Sequence, residues 1–246
     1  MIVTDPWFYI TAVPAVLIYG IGKGGLGGAL GIIAVPLMAL VVSPTQAAAI
    51  LLPILCVMDA FAVRQHYRSA DYSVLKQMLP GSLLGVLLAG LFLSVTPEAG
   101  LKLLIGVLSL LFCLQYVLSG SQQDKKPGKA SAWWWSSLGG FSSTAIHAGG
   151  GPASIYLLPL RLEKVTLIAT MAVLFGIINL AKLIPYSMLG EFDTTNLMTA
   201  MVLMPLAPVG VYMGVWLLHR VSQDVVYRLC YLFLFLSGMK LVFDVL

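Results

Sequence analysis

The sequence predicts an all-α integral membrane protein made of two inverted repeats, each a broken helical hairpin followed by three transmembrane helices. Three features predict it: an apolar composition, six apolar segments of membrane-spanning length, and two longer apolar runs broken by glycine. The chain is 59% hydrophobic and only 10% charged, whereas soluble domains carry about 25% charged residues. This composition suits lipid and argues against a soluble enzyme. The +4 net charge lies in short loops, as membrane-flanking charge does, and predicts no nucleic-acid partner.

Six apolar segments have the roughly 18 to 22 residues that a helix needs to cross the hydrocarbon core. They predict spanning helices at about 45–63, 74–94, 98–118, 164–185, 197–217 and 225–245.

Two further apolar runs, about 7–42 and 132–160, are too long for one crossing. A continuous helix over the first would be roughly 54 Å long, against a core of about 30 Å. Glycine interrupts both runs, within Gly20–Gly28 and within His147–Pro152, and glycine and proline at this density break helices. Each run is therefore either two crossings or a hairpin that leaves on the side where it entered.

Loop charge favours the hairpins. With two re-entrant hairpins, basic residues collect on one side of the membrane, and both termini lie on the other side. The basic side would hold Arg64, Arg68, Lys76, Lys125, Lys126, Lys129, Arg161, Lys164, Arg220 and Arg228, and the opposite side Asp5, Glu98, Lys102, Glu191, Asp193 and Asp244. Counting each run as one crossing moves the last four basic residues outside. The positive-inside rule therefore favours hairpins.

The two broken runs resemble each other in sequence. Gly27–Leu37 aligns with Gly150–Leu160, and Leu79-Pro80 followed by Gly85 matches Met204-Pro205 followed by Gly210. The predicted repeats are residues 1–120 and 132–246, joined by a basic cytoplasmic linker at 121–131. Because each repeat has three full crossings, the second copy is upside down, an arrangement typical of transporters with a midplane site. The alternative is chance similarity between glycine- and leucine-rich strings.

Short motifs in both halves resemble the TauE/SafE family of sulfite exporters. The resemblance covers nearly the whole chain and is carried by Gly22–Gly28, Leu52-Pro53 through Asp59, Leu79-Pro80-Gly81, Ala145–Pro152 and Leu158-Pro159. It implies export of sulfite, thiosulfate or a small organosulfonate across the plasma membrane. No residue identifies the anion.

Lys23 is the sharpest candidate for binding an anion. An ammonium in the hydrocarbon region costs roughly 2.5–3.5 kcal/mol, so it needs a partner or a function. The surrounding glycines, Gly24, Gly25, Gly27 and Gly28, are expected to free backbone N–H groups beside half-helix N-termini that favour an anion. The alternative is a lysine that snorkels to the interface.

His147 occupies the matching break of the second run, beside Gly149, Gly150 and Gly151. It is either an anion ligand or coupling-proton carrier, or a packing residue satisfied by its neighbours.

Four polar residues of the full crossings complete the candidate site. Asp59 is expected to pair with Lys23 when no anion is bound, and Asn179 either donates to the substrate or ties two helices together. Lys182 and Arg64, toward opposite membrane faces, are expected to form cationic vestibules for gating or coupling, or else to snorkel.

The predicted function is secondary transport of a small anion, with no cofactor and no metal site. Coupling to protons or another ion, and assembly as a homodimer, stay open. A passive anion channel shares the same electropositive site. An intramembrane enzyme is disfavoured because the sequence lacks HExxH and GxSxG motifs.

Overall fold

The computed structural model describes residues 2–25, 29–118, 127–217 and 223–246. These residues are helical apart from short connections, so the all-α prediction is confirmed for them. The eleven α-helices are α1 (Pro6–Gly25), α2 (Ala34–Met38), α3 (Pro44–His66), α4 (Tyr72–Val95), α5 (Glu98–Leu118), α6 (Lys129–Ile146), α7 (Gly150–Leu157), α8 (Lys164–Met188), α9 (Thr194–Leu203), α10 (Leu206–Leu217) and α11 (Gln223–Phe243). Most of the predicted linker, 121–126, lies outside the described residues.

Side-chain caps fix where three of these helices begin. Ser43, Asp71 and Asp193 precede α3, α4 and α9, and each accepts a backbone N–H from the first turn of its helix. Such caps satisfy donors that have no partner inside the helix.

Three helices of the described chain are long and apolar enough to cross a membrane: Pro44–Arg64, Tyr72–Val95 and Val165–Met188. The bent pair Thr194–Leu203 and Leu206–Trp216 is also long and apolar enough, taken together, to form a fourth span or a re-entrant segment. One straight helix was expected over 197–217, and this is wrong, because the segment bends by 41° between α9 and α10. Pro205 lies at the bend, where it lacks an N–H and its ring would clash with a carbonyl of the preceding turn.

Four helix pairs provide most of the packing: α4 with α6, α1 with α10, α3 with α8, and α5 with α11. Glycine permits close approach in the first two pairs. A Cβ at Gly85 would overlap the Ser137 carbonyl of α6, and one at Gly210 would crowd the Leu17 carbonyl of α1. Small residues at crossing points are the usual means by which membrane helices pack closely.

Hydrogen bonds connect the segments that flank the first broken run to α9. Before the run the Val3 N–H donates to Thr199 Oγ1 (3.0 Å), and after it Gln46 Nε2 donates to Asn196 Oδ1 (2.9 Å). Both partners lie in the first turns of α9. In the second run, α6 packs against α4, and the Tyr156 hydroxyl of α7 lies 3.5 Å from Gln77 Oε1 of α4.

The break in the first run differs in part from the expected one. Gly20, Gly22, Gly24 and Gly25 all belong to α1, which ends at Gly25. The run is interrupted within Gly20–Gly28, as expected, because α1 ends at Gly25. Gly20, Gly22 and Gly24 lie inside the helix and do not interrupt it, and Gly20 and Gly24 let α1 pack closely against α10. Gly27 and Gly28 lie outside the described residues. In the second run α6 ends at Ile146, and His147 adopts the left-handed conformation with φ 54°.

Candidate functional site

The first polar cluster in the interior joins α1, α3 and α8. Lys23, in the last turn of α1, forms an ion pair with Oδ1 of Asp59, and Nδ2 of Asn179 donates to the other carboxylate oxygen. The Lys23 and Asp59 side chains are only 8% and 6% exposed. The Lys23 ammonium also lies 5.7 Å from the ring centroid of Tyr19, one turn earlier on α1, within range of a cation–π contact. The pairing of Lys23 with Asp59 that the sequence suggested is present in the structure.

The second cluster joins α6, α8 and the break after α6. Lys182 is fully buried, and its Nζ lies 2.8 Å from the Ser143 carbonyl oxygen, 3.0 Å from Ser143 Oγ and 2.8 Å from His147 Nδ1. Nε2 of His147 lies 2.9 Å from the Ala48 carbonyl oxygen. A carbonyl can only accept, so Nε2 carries the hydrogen and Nδ1 is free to accept from Lys182.

The surroundings of Lys182 can accommodate a protonated side chain. An ammonium has three donors, and Nζ has three possible acceptors within hydrogen-bond distance: two oxygens of Ser143 and one nitrogen of His147. None of these three partners is a carboxylate.

The two clusters are adjacent. Asn179 and Lys182 are three residues apart on α8, so they lie on one helix face about one turn apart. The Tyr19 hydroxyl donates to the His147 carbonyl oxygen at 3.0 Å and thereby connects α1 to the break after α6. Both Lys23 and Asp59 are close enough to Lys182 to interact with it electrostatically. The two clusters thus bring two lysines, Lys23 and Lys182, close to one carboxylate, Asp59.

A cavity of about 30 Å³ opens beside the first cluster. Its walls include Tyr19, Lys23 and Asp59 from one side and Gly150, at the start of α7, from another. This volume is sufficient to hold water.

The predicted glycine ligands lie in different surroundings. Gly150 lines the cavity, but a Cβ at Gly24 would overlap the α10 backbone. Gly149 is packed against Gly139 and Phe175, and Gly151 faces Phe112. Gly27 and Gly28 lie outside the residues that the structure describes, and the surroundings of Gly25 are not described either.

The structure corrects two expectations about cations. Lys23 was expected beside helix N-termini with free N–H groups, but it lies at the C-terminal end of α1, where the helix dipole favours a cation. Lys182 was expected in a vestibule, but it is fully buried, because Ser143 and His147 provide acceptors in the interior. Arg64 is exposed near the end of α3, so it belongs to neither cluster.

A protein-family model described as sulfite exporter TauE/SafE matches residues 12–241. The chain belongs to the TauE/SafE family. The family consists of transporters, and membership implies a membrane exporter of sulfite or a related anion. The match includes every residue of both clusters. No curated protein and no solved structure matches the chain at a significant level.

Sequence reasoning missed three residues of this TauE/SafE site: Ser143, Tyr19 and Tyr186. Ser143 belongs to the run Ser142-Ser143-Thr144, which is unusually polar for an apolar helix and was a usable signal. Tyr19 is four residues before Lys23 and therefore on the same helix face. The Tyr186 hydroxyl donates to the Thr144 carbonyl at 2.7 Å, and its ring stacks on His147 with centroids 6.4 Å apart. Nothing in the sequence pointed to Tyr186.

Proposed function

We propose that this TauE/SafE protein is a secondary transporter that exports a small sulfur-containing anion, such as sulfite, thiosulfate or an organosulfonate, across the plasma membrane. The observation that carries the proposal is the buried cluster in which two lysines, Lys23 and Lys182, lie near Asp59, the one carboxylate of this cluster among the described residues. With both lysines protonated, the proposed site has a net charge of +1. A net charge in a low-dielectric interior is costly, and a bound anion would remove that cost.

In the proposed complex the anion occupies the cavity beside Lys23, with Lys182 supplying a second positive charge from behind it. Asn179 and the hydrogen-bond donors near the helix break at His147 complete the site. Gly150 is the glycine of the second break best placed to approach the anion, because it lines the same cavity. The proposed mechanism is alternating access, in which this site opens to one side of the membrane at a time.

The proposed inverted repeat is an arrangement typical of transporters that work by alternating access. Its support is the reciprocity of the packing: α4 of the first half packs on the hairpin helix α6, and α10 of the second half packs on the hairpin helix α1. Two further contacts each join a helix of the first proposed repeat to its counterpart in the second: α3 with α8, and α5 with α11. The proposed topology places the loops around Ser69 and Glu163 in the cytoplasm and those around Glu98 and Gly190 outside.

Cysteine accessibility tests this topology. In a chain whose native cysteines are replaced by alanine, single cysteines at Ser69 and Glu163 should react only from the cytoplasmic side. Cysteines at Glu98 and Gly190 should react only from outside. If a cysteine at Glu163 reacted from outside while one at Ser69 still reacted from the cytoplasm, the second broken run would be a single crossing and not a hairpin.

A flux assay tests the transport function. The purified chain in proteoliposomes should move sulfite, thiosulfate, sulfoacetate or taurine faster than sulfate or chloride, with saturation and with acceleration by substrate on the opposite side. Lys182→Met should reduce this flux about tenfold to a hundredfold, because the anion loses the attraction of a nearby buried positive charge. Lys102→Met is the matched control, because Lys102 pairs with Glu98 at 2.9 Å on the exposed surface.

Two outcomes would contradict the proposal. Equal flux of all small anions without saturation would make the protein a passive channel. Wild-type flux in Lys182→Met would show that the net charge of the site does not bind the substrate.

A further inference from the structure

We infer that Asp59 is a proton carrier in transport: an anion with two negative charges enters together with one proton, which binds Asp59, whereas an anion with one charge enters alone. The inference rests on the proposed function and adds the coupled ion and its dependence on substrate charge. Its basis is the charge and hydrogen bonding of the cluster around Asp59.

Charge balance gives the stoichiometry. Without substrate, Lys23, Lys182 and Asp59 sum to +1, so a monoanion brings the site to zero. A dianion would bring it to −1, and one proton on Asp59 restores zero. A buried site that holds an unbalanced charge is strongly disfavoured, so the proton follows the second negative charge. The proton comes from solvent and forms an O–H bond on the Asp59 carboxylate, while both lysines keep their own protons.

Competition between the anion and Asp59 for Lys23 triggers the uptake of the proton. One carboxylate oxygen of Asp59 pairs with Lys23, and Lys23 lines the cavity where the anion enters. An anion that takes over Lys23 leaves Asp59 with Asn179 as its remaining direct partner. A buried carboxylate that loses its ion pair takes up a proton more readily.

The side-chain amide of Asn179 can hydrogen-bond to Asp59 in both the ionised and the protonated form. Its Nδ2 donates to the carboxylate, and its Oδ1 is buried with no hydrogen-bond partner among the described residues. Buried unpartnered acceptors are uncommon and costly. Rotating the amide by half a turn presents Oδ1 to Asp59, where it accepts the hydrogen of a protonated carboxyl group. The unpaired oxygen thus has a partner in the protonated state.

Asp59 is the group best placed to take the proton. The titratable and charged groups that face it from the described elements are Lys23 and Tyr19 on α1, Cys56 on α3, Lys182 on α8 and His147 at the break after α6. The two lysines are already protonated, and His147 uses Nδ1 to accept from Lys182. Of these groups, Asp59 alone is an anion in the substrate-free site.

The test measures proton uptake on binding by calorimetry of the full chain in detergent, near neutral pH. Thiosulfate is the dianionic probe and methanesulfonate the monoanionic one, since neither titrates in this range. Tris and imidazole, which differ in ionisation enthalpy, are suitable buffers, whereas sulfonate buffers would compete. Wild type should take up about one proton per thiosulfate and none per methanesulfonate. The thiosulfate Kd should then rise about tenfold per pH unit, and the methanesulfonate Kd should stay constant.

Asp59→Asn should bind thiosulfate with no proton uptake and no pH dependence, whereas the control Glu98→Gln should behave as wild type. If Asp59→Asn does not fold, an infrared difference spectrum of wild type decides: a carboxylic-acid carbonyl band should appear with thiosulfate and not with methanesulfonate. Thiosulfate binding without proton uptake, or uptake that persists in Asp59→Asn, overturns this inference alone. Failure of wild type to bind either anion overturns the proposed function and this inference with it.

Discussion

Lys23 and Lys182 both lie in the protein interior, but different groups contact their side-chain nitrogens. Lys23 is neutralised by the carboxylate of Asp59 and borders a cavity. Lys182 is more deeply buried and is held only by neutral acceptors on Ser143 and His147. Hydrogen bonds can satisfy the donors of an ammonium without cancelling its charge. The first lysine is therefore balanced within the fold, and in the proposed site a protonated Lys182 supplies the positive charge that attracts an anion.

The largest effect expected from this comparison is on Lys23. Lys23→Met should destabilise the protein by about 3–5 kcal/mol, because it leaves Asp59 as an uncompensated buried charge. Adding Asp59→Asn should recover most of the loss. Denaturant unfolding of the single and double variants in detergent measures both values. Equal stability of Lys23→Met and wild type would mean that the ion pair contributes nothing to the fold.

Lys182→Met should have a smaller effect on stability, about 1–3 kcal/mol. It leaves Ser143 and His147 with unpaired buried acceptors, but it also removes a charge that was costly to bury. Adding Asp59→Asn should give no recovery in this background. The same unfolding experiment decides, and recovery by Asp59→Asn would show that Lys182, too, is balanced by that carboxylate.

A matched tyrosine pair tests the connection between the clusters. Tyr19→Phe removes the 3.0 Å bond to the His147 carbonyl, and Tyr186→Phe removes the 2.7 Å bond to the Thr144 carbonyl. Each should cost about 1 kcal/mol of unfolding free energy. Only Tyr19→Phe should also weaken thiosulfate binding in calorimetry, because Tyr19 alone of the two lines the cavity beside Lys23. Equal affinities in the two variants would remove Tyr19 from the site.

The smallest effect concerns a carboxylate outside the membrane. Burial raises the pKa of Glu191; a hydrogen bond from Thr45 opposes this shift, and Asp193 adds to it. A raised pKa means that Glu191 stabilises the fold below its unfolded pKa and that this contribution is lost as pH rises through the folded pKa. Glu191→Gln should therefore be more stable than wild type at pH 7 by less than about 1 kcal/mol, given partial solvent screening.

Melting curves at pH 4 and pH 7 check this prediction. The difference between Glu191→Gln and wild type should be larger at pH 7. A difference that shrinks as pH rises would mean that Glu191 is stabilised in its charged form.

The sequence by itself determined the fold class, the family and the polar residues on which the site depends. Apolar length and missing charge can be satisfied only in lipid, and residues such as Lys23, Asp59, Asn179 and Lys182 stand out because polar groups are costly there. The repeat and the division into residues 1–120 and 132–246 stay predictions that the packing supports.

Only the tertiary structure decided which polar groups meet and in which state. Spacing along the chain could not show that Lys23 completes a helix, that Pro205 bends one crossing, or that Lys182 is buried against Ser143. These outcomes depend on which helix faces pack together, and residues as far apart in the sequence as Asp59 and Asn179, or Tyr19 and His147, become neighbours only through that packing. The proposed net charge of the site is a sum over three helices, α1, α3 and α8, and no single segment of the sequence contains it.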